Sequence, residues 1–301
     1  MSTKPLTPRS FASFVWLLTG YTVVVILWGA FVRATGSGAG CGNHWPLCNG
    51  EVIPRSPGVE TLIELGHRLS SGLLGILVLA LVVVAFRAYP RGHRVRKSAM
   101  WTLFFIVSES LLGAGLVTFE WVAANDSEER VYVMAFHLVN TFLLLAVMTL
   151  TAWFANGGGP LRLRGRASTL TAVVPVMAAL LGVMVVGSSG AVTALGDTLV
   201  LTERVQPEDS PVVARLVASR FYHPTIAIVI FFLVGFVARK DRRYGRPLML
   251  LFLVQLALGA VNVYLEAPVW MQLVHLAVAD VIWILLVLLV ASTLSAIPAD
   301  A

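Results

Sequence analysis

Eight long apolar stretches alternate with polar connections along the chain. Each is about 20 residues or longer, which is the length that an α-helix needs to cross the hydrocarbon core of a bilayer. The pattern predicts eight transmembrane helices, at residues 14–34, 61–86, 99–119, 131–154, 169–190, 217–238, 247–265 and 269–294. The first stretch is interpreted as a helix rather than a removable signal peptide, because no small-residue cleavage site follows it. Residues 191–219 predict an external loop with short structure.

Composition supports this class of protein. Hydrophobic residues make up 57% of the chain and charged residues 13%, and the mean hydropathy is +0.83. A soluble domain has about 25% charged residues. We therefore expect an all-α integral membrane protein.

The distribution of charge predicts the orientation of the chain. Basic residues are concentrated in alternate connections: Lys4, Arg9, Arg87, Arg91, Arg94, Arg96, Lys97, Arg162, Arg164, Arg166, Arg239, Lys240, Arg242, Arg243 and Arg246. Acidic residues such as Glu120, Asp197 and Glu203 lie in the opposite connections. Because Lys and Arg are retained on the cytoplasmic side, both termini are predicted to be cytoplasmic. The net charge of +6 reflects topology and does not indicate a nucleic-acid partner.

The two halves of the chain resemble each other. Three residues recur at an offset of 158, so that Gly29, Thr35 and Gly38 correspond to Gly187, Thr193 and Gly196. The segment Glu109 to Gly113 is likewise echoed by Gln255 to Gly259. Since each half has four spans, the halves enter the membrane the same way round. We expect two four-helix bundles arranged as a parallel repeat, residues 1–155 and 156–301.

Each even-numbered stretch contains one histidine: His67, His137, His223 and His275. An ionisable side chain inside a membrane is costly unless it has a partner or a task. Histidines on facing helices of a bundle are familiar axial ligands of haem iron. The pattern predicts two haem sites, each with a histidine pair. Binding of another metal and hydrogen bonding between helices are the alternatives.

The depth of these histidines separates two kinds of haem protein. At 1.5 Å per residue, each lies roughly 10 Å below the outer edge of its stretch. No histidine lies in the inner half of a stretch. A cytochrome that moves electrons across the bilayer would need ligands at both depths. We therefore expect two sites side by side near the extracytoplasmic leaflet, one with a resident haem and one with a guest.

Glu64 distinguishes the first half from the second. It precedes His67 by three residues, so both side chains lie on the same face of a helix, whereas Arg220 occupies the matching position in the second half. This asymmetry predicts chemistry in the first half, although a carboxylate near a helix start is also favoured by the helix dipole. Arg68 and Arg220 are candidate partners of haem propionates, or of the membrane interface.

Cys41 and Cys48 lie in the first external connection, where thiols are oxidised. We expect a disulfide, which would be either a loop staple or a redox-active pair. A zinc site with His44 is disfavoured, because it would have three candidate ligands where structural zinc takes four.

Glu109 and Asp280 lie within predicted spans, where each would serve a proton path or hydrogen-bond within the bundle.

Together these residues resemble the haem A synthase family, and the resemblance covers essentially the whole chain. The motifs that carry it are Thr35-Gly-Ser-Gly38, Trp45-Pro-Leu-Cys48, Glu64-Leu-Gly-His67-Arg68 and the four histidines. The resemblance implies oxidation of the C8 methyl group of haem O to a formyl group, which gives haem A for terminal oxidases.

The resemblance also implies roles for particular residues. A haem b would be held by His223 and His275, the substrate haem would be approached by His67 and His137, and Glu64 would be the catalytic carboxylate. Haem O synthase is a candidate partner, and the plasma membrane is the expected location. Two departures stand out: Gly66 replaces a bulkier residue, and Glu109 stands where a glutamine would echo Gln255.

Two other functions fit parts of this pattern. A non-catalytic di-haem electron carrier needs only the four histidines, so Glu64 and the cysteine pair favour the enzyme. A haem transport protein is suggested by the parallel repeat. The sequence does not show the interrupted segments typical of a transporter core.

Overall fold

The computed structural model describes residues 8–162, 167–201 and 205–296. Within these ranges the chain forms nine α-helices and no β-strand. The helices are α1 (Pro8–Ala34), α2 (Val59–Ala88), α3 (Arg94–Thr118), α4 (Glu128–Ala155), α5 (Ala167–Leu201), α6 (Pro211–Ala218), α7 (Tyr222–Ala238), α8 (Arg242–Tyr264) and α9 (Val269–Ser295). A short 3₁₀ turn at Ser37–Ala39 follows α1.

Eight helical segments in the described ranges are long and apolar enough to cross a membrane, and α6 and α7 together make up the sixth, Pro211–Ala238. The prediction of an all-α protein with eight spans is therefore confirmed. Many large apolar side chains on these helices, such as Leu17, Ile76 and Phe232, are exposed on the outer surface. Exposed apolar faces of this extent are expected where lipid covers the helices.

Side chains cap the starts of several helices. Ser127 accepts a hydrogen bond from the amide of Arg130 at the start of α4. Ser210 accepts one from Val213 at the start of α6, and Asp241 does the same at the start of α8. These caps satisfy amides that have no partner within the helix. The capped helices either carry a histidine, as α4 does, or directly precede a helix that does, as α6 and α8 do.

The loop predicted at residues 191–219 is wrong over its first part, because α5 continues to Leu201. Leu195 and Leu199 are four residues apart, so they lie on one face of the helix, and both are buried. They pack against Val213 and Leu216 of α6. Burial of this apolar face stabilises the extension of α5 and the short helix α6.

The break between α6 and α7 lies just before a predicted ligand. The two helices are separated at residues 219–221, and His223 lies in the first turn of α7. Pro224 follows it, and proline is tolerated in a first turn because its missing amide hydrogen has no helical partner there. The histidine is thereby placed at a helix start.

The helices pack as two rings. Within α1–α4 each helix contacts the next, and α4 returns to contact α1. The same cyclic order joins α5, α7, α8 and α9. The rings meet through α1 and α4 on one side and α5 and α9 on the other.

We refer to α1–α4 as the first half and to α5–α9 as the second half. The division after residue 155, the parallel repeat and the cytoplasmic location of both termini stay predictions. Lys4, Arg164, Arg166 and Glu203, which contribute to the predicted orientation, lie outside the described residues.

A stacked aromatic pair joins the two halves at the contact between α4 and α9. The rings of Phe142 and Trp283 lie 4.8 Å apart and are nearly parallel, at 17°. The indole nitrogen of Trp283 also donates to the carbonyl oxygen of Phe142 over 2.7 Å. Since Trp283 is almost fully buried, this contact contributes both apolar packing and a satisfied polar group.

Replacement of this tryptophan should weaken the whole assembly. We expect Trp283→Ala to lower the free energy of unfolding in detergent micelles by about 3 to 5 kcal/mol, because it leaves a large cavity between the halves. Trp270→Ala is the matched control, since Trp270 lies on the same helix with its side chain exposed. Equal losses in the two variants, measured by denaturant titration, would contradict this assignment of the interface.

Candidate functional site

Each of the four histidines packs against a glycine on the long helix that precedes its own. A Cβ atom added to the glycine would lie 2.9 Å from the ring for Gly29 and His67, 2.9 Å for Gly190 and His223, 3.3 Å for Gly259 and His275, and 3.9 Å for Gly113 and His137. Real Cβ atoms essentially never show contacts below 3.0 Å, so a side chain at the first two positions would force the histidine ring to shift. The glycines let each imidazole lie directly against the neighbouring backbone.

His223 and His275 face each other across the second half. Their ring centres are 6.4 Å apart, and the ring planes are inclined at 74°. An imidazole nitrogen binds a metal at about 2 Å, so two opposed rings on one ion have centres roughly 6 Å apart. The spacing of the pair therefore fits one iron atom between the rings.

His223 is also oriented for metal binding by its other nitrogen. Nδ1 lies 3.1 Å from the carbonyl oxygen of Val186 and 3.0 Å from the hydroxyl of Ser189. Because a carbonyl oxygen only accepts hydrogen bonds, Nδ1 carries the proton and Nε2 keeps its lone pair. This arrangement is the usual support of a histidine ligand.

The first half contains a different support. Nδ1 of His137 lies 3.0 Å from Oε1 of Glu109, and the same carboxylate accepts hydrogen bonds from Asn140 and Thr141. Among the described residues, Nδ1 of His67 is buried and has no hydrogen-bond partner. The two predicted ligands of the first half lie on α2 and α4 of one helix ring, and each contacts a glycine of the neighbouring helix.

The cysteine pair forms the expected disulfide, and both cysteines are buried. Their loop is fastened to α2. Oε2 of Glu64 accepts a hydrogen bond from the amide of Cys41 over 2.8 Å, and the hydroxyl of Thr61 donates to the carbonyl oxygen of Gly40.

Arg68 completes this fastening. Its guanidinium pairs with Oε1 of Glu64 at 2.5 Å and donates to the carbonyl oxygens of His44 and Leu47, each over 2.6 Å. The sequence pattern did not predict these contacts, which make Glu64 and Arg68 a single unit with the loop. The catalytic role of Glu64 and the propionate role of Arg68 stay predictions.

Arg220 also has a partner in the second half, since it forms an ion pair with Asp197 at 2.7 Å. A third arginine, Arg33, lies near the end of α1 and was not predicted as a functional residue. It donates to the carbonyl oxygen of Ala194, to the hydroxyl of Thr198 and to the side chain of Gln272. Arg33 therefore ties the first half to α5 and α9. An arginine inside an apolar stretch was the signal that could have identified it.

Asp280 differs from Glu109. It is fully buried in α9, and neither carboxylate oxygen has a hydrogen-bond partner among the described residues. Glu109 therefore has hydrogen bonds within the bundle, which was one of its two predicted roles, whereas Asp280 has none to the described residues.

Gly66, where a bulkier residue is common in the haem A synthase family, packs against the indole ring of Trp28. A Cβ at this position would lie 3.1 Å from that ring.

Comparison with known proteins assigns the chain to a family. Residues 12–287 match the sequence pattern of the COX15-CtaA family, described as cytochrome oxidase assembly protein. This chain belongs to that family. The match includes all four histidines, both cysteines and Glu64, so COX15-CtaA membership covers both candidate sites.

Individual relatives of this COX15-CtaA chain have two names. A protein from Thermus thermophilus, named protoheme IX farnesyltransferase, is 49% identical over 94% of this chain and 48% of its own length. A protein from Halalkalibacterium halodurans, named heme A synthase, is 39% identical over 50% of this chain and 49% of its own length. A heme A synthase from Bacillus mycoides is 46% identical over 32% of this chain and 30% of its own length. The chain spans about half the length of the first curated relatives it matches.

The glycine contact yields a direct test of the second site. Gly190→Ala should displace the ring of His223, because the added Cβ would overlap it, and should reduce the haem that co-purifies with the protein. Gly75→Ala is the matched control, since nothing lies within 4 Å of its Cβ position. Pyridine haemochrome assays of the two purified variants check this. Full haem content in Gly190→Ala would contradict the prediction that the packing of His223 against Gly190 positions a haem ligand.

Proposed function

We propose that this chain is a haem A synthase, which oxidises the C8 methyl group of haem O to a formyl group and gives haem A for terminal oxidases. The observation that carries the proposal is the position of two histidines in each of two neighbouring helix rings of a COX15-CtaA protein. Two relatives named heme A synthase support it.

The second half is the proposed site of a resident haem b, with His223 and His275 as axial ligands. The ring spacing of 6.4 Å and the hydrogen bond that frees Nε2 of His223 support this role. A bound haem b would supply one-electron transfer there. The protein holds the two imidazoles apart at the distance that one iron requires, and fixes them by close packing against Gly190 and Gly259.

The first half is the proposed substrate site, where His67 and His137 approach the haem. Glu64 is the proposed catalytic carboxylate, since it is buried three residues before His67. Its contacts with Cys41 and Arg68 leave lone pairs on the carboxylate for further contacts. The conversion of a methyl to a formyl group adds one oxygen atom, at the oxidation level of water, and releases four protons and four electrons to an external oxidant. A buried carboxylate beside the reacting methyl group would accept protons as the C–H bonds break.

The surroundings of the proposed enzyme follow from its chemistry. Both sites would lie toward the extracytoplasmic leaflet of the plasma membrane, where α2, α4, α7 and α9 begin. Arg68 and Arg220 are proposed to contact haem propionates through guanidinium N–H groups that the ion pairs and the carbonyl contacts of Arg68 do not use. The enzyme that farnesylates protohaem would supply the substrate, and a relative with that name supports haem O synthase as a partner.

Replacement of single histidines tests whether His223 and His275 bind haem b, with His93 as the control residue. We expect His223→Ala or His275→Ala to remove most of the low-spin haem b from the purified protein, because each loses one axial bond. His93→Ala is the control, since His93 caps α3 and stacks on Tyr89, away from both pairs. Reduced-minus-oxidised spectra and size-exclusion profiles measure the result. Unchanged spectra in both variants would show that the ligands lie elsewhere.

The role of Glu64 is tested by a nearly isosteric change. Glu64→Gln keeps an acceptor for the amide of Cys41, so the loop and the haem b should be retained. Loss of a proton acceptor should lower haem A formation by about 100-fold or more. The assay is chromatography of haems extracted from a host that lacks its own enzyme.

Two control variants separate chemistry from loop structure. Thr61→Val removes a hydrogen bond that fastens the same loop and leaves Glu64 intact, so we expect it to retain most activity. Glu60→Gln changes an exposed carboxylate one turn earlier on α2. If Thr61→Val lost as much haem A formation as Glu64→Gln, Glu64 would have a structural role only.

A further inference from the structure

The last histidine of each half, His137 in the first and His275 in the second, has different hydrogen-bond partners. In the first half, Oε1 of Glu109 lies 3.0 Å from Nδ1 of His137. In the second half, Gln255 occupies the corresponding position on α8, four residues before the glycine that packs against His275. Its side-chain nitrogen donates to the carbonyl oxygen of His275 over 3.0 Å.

The glutamine does not support the ring of its histidine. Nδ1 of His275 is buried and has no hydrogen-bond partner among the described residues, and Oε1 of Gln255 is in the same situation. The same helix position therefore binds the imidazole in one half and the backbone in the other. This difference is independent of Glu64.

The carboxylate of Glu109 is held in place by its own partners. Asn140 donates to Oε2 and Thr141 donates to Oε1. Ser108 in turn donates to the side-chain oxygen of Asn140 over 2.6 Å. This network lies between α3 and α4 and orients the carboxylate toward the ring of His137.

We propose that Glu109 is a positioning residue that orients His137 and makes its imidazole a more strongly donating iron ligand than His275. The proposal rests on the proposed function, because it takes His137 to be a ligand of the first-half haem. A carboxylate that accepts the Nδ1 proton fixes the lone pair on Nε2 and increases its basicity. The negative charge near the iron also favours the ferric form. A haem in the first half is thereby given a lower reduction potential than it would have with a glutamine at this position.

The test is the midpoint potential, which a purely structural role would not move. The full-length protein is co-produced with haem O synthase, purified with its haems, and titrated by optical spectroelectrochemistry. Glu109→Gln keeps the size and an acceptor oxygen but removes the charge, so the first-half haem should be retained with a midpoint shifted to more positive potential. Ser110→Ala is the control on the next position of α3, where the hydroxyl donates to the backbone of its own helix.

A reciprocal variant tests the same idea in the second half. Gln255→Glu introduces a carboxylate at the position on α8 that matches Glu109 on α3, and should shift the midpoint of the second-half haem to more negative potential. This result supports the proposal even if Glu109→Gln does not accumulate. Unchanged midpoints in the variants that retain haem, or shifts of the opposite sign, would overturn it.

Failure of the proposed function has a different signature. If the wild-type protein bound a single haem whose amount was unaffected by His137→Ala, the first-half site itself would be refuted, and the role of Glu109 with it. A different set of results would refute the role of Glu109 alone. In that case the wild-type protein would form haem A, His137→Ala would lose the first-half haem, and Glu109→Gln would leave the midpoint potential of that haem unchanged.

Discussion

Close contact between a histidine ring and a glycine backbone joins neighbouring helices in both halves. Inside a membrane, no water satisfies the polar atoms of a histidine, so packing against neighbouring helices holds each ring, and hydrogen bonds to protein atoms also hold His137 and His223. The contacts are closest at Gly29 and Gly190, where an added Cβ would overlap the ring. All four contacts lie between helices that are neighbours in the two rings.

The histidines pack against glycines in both rings, but the residues around them differ. In the first, the carboxylates of Glu64 and Glu109 lie near the histidines, and the disulfide loop is hydrogen-bonded to Glu64 on α2. In the second, Arg220 is paired with Asp197 and no carboxylate contacts either imidazole among the described residues. Two helix rings with similar histidine–glycine contacts and different surroundings fit the proposed division between a reacting haem and a resident one.

The sequence predicted what hydrophobicity and compartment determine. Apolar runs of spanning length indicated the eight helices, because the bilayer leaves few alternatives to a helix. The predicted external location of Cys41 and Cys48 indicated their disulfide, which the structure contains. The histidines were identified because an unpartnered imidazole is costly in an apolar stretch.

The sequence did not predict contacts that depend on the packing of distant segments. The offset of 158 pairs Gly29 with Gly187, whereas Gly190, one turn later, lies against His223 and Gly187 faces Phe142. Neither the bridge from Arg33 to the second half nor the extension of α5 under α6 follows from a local pattern, because each arises from the relative position of elements far apart in the chain. The contact of Arg68 with the cysteine loop is of the same kind.

The most direct measurement for the central claim is the identity of the haems bound to the wild-type protein. The protein would be co-produced with haem O synthase in a host that makes no haem A, purified, and its haems extracted and separated by chromatography with mass detection. We expect haem A together with haem b. Haem b and unmodified haem O alone, in protein that is monodisperse and carries the disulfide, would contradict it and favour a di-haem electron carrier.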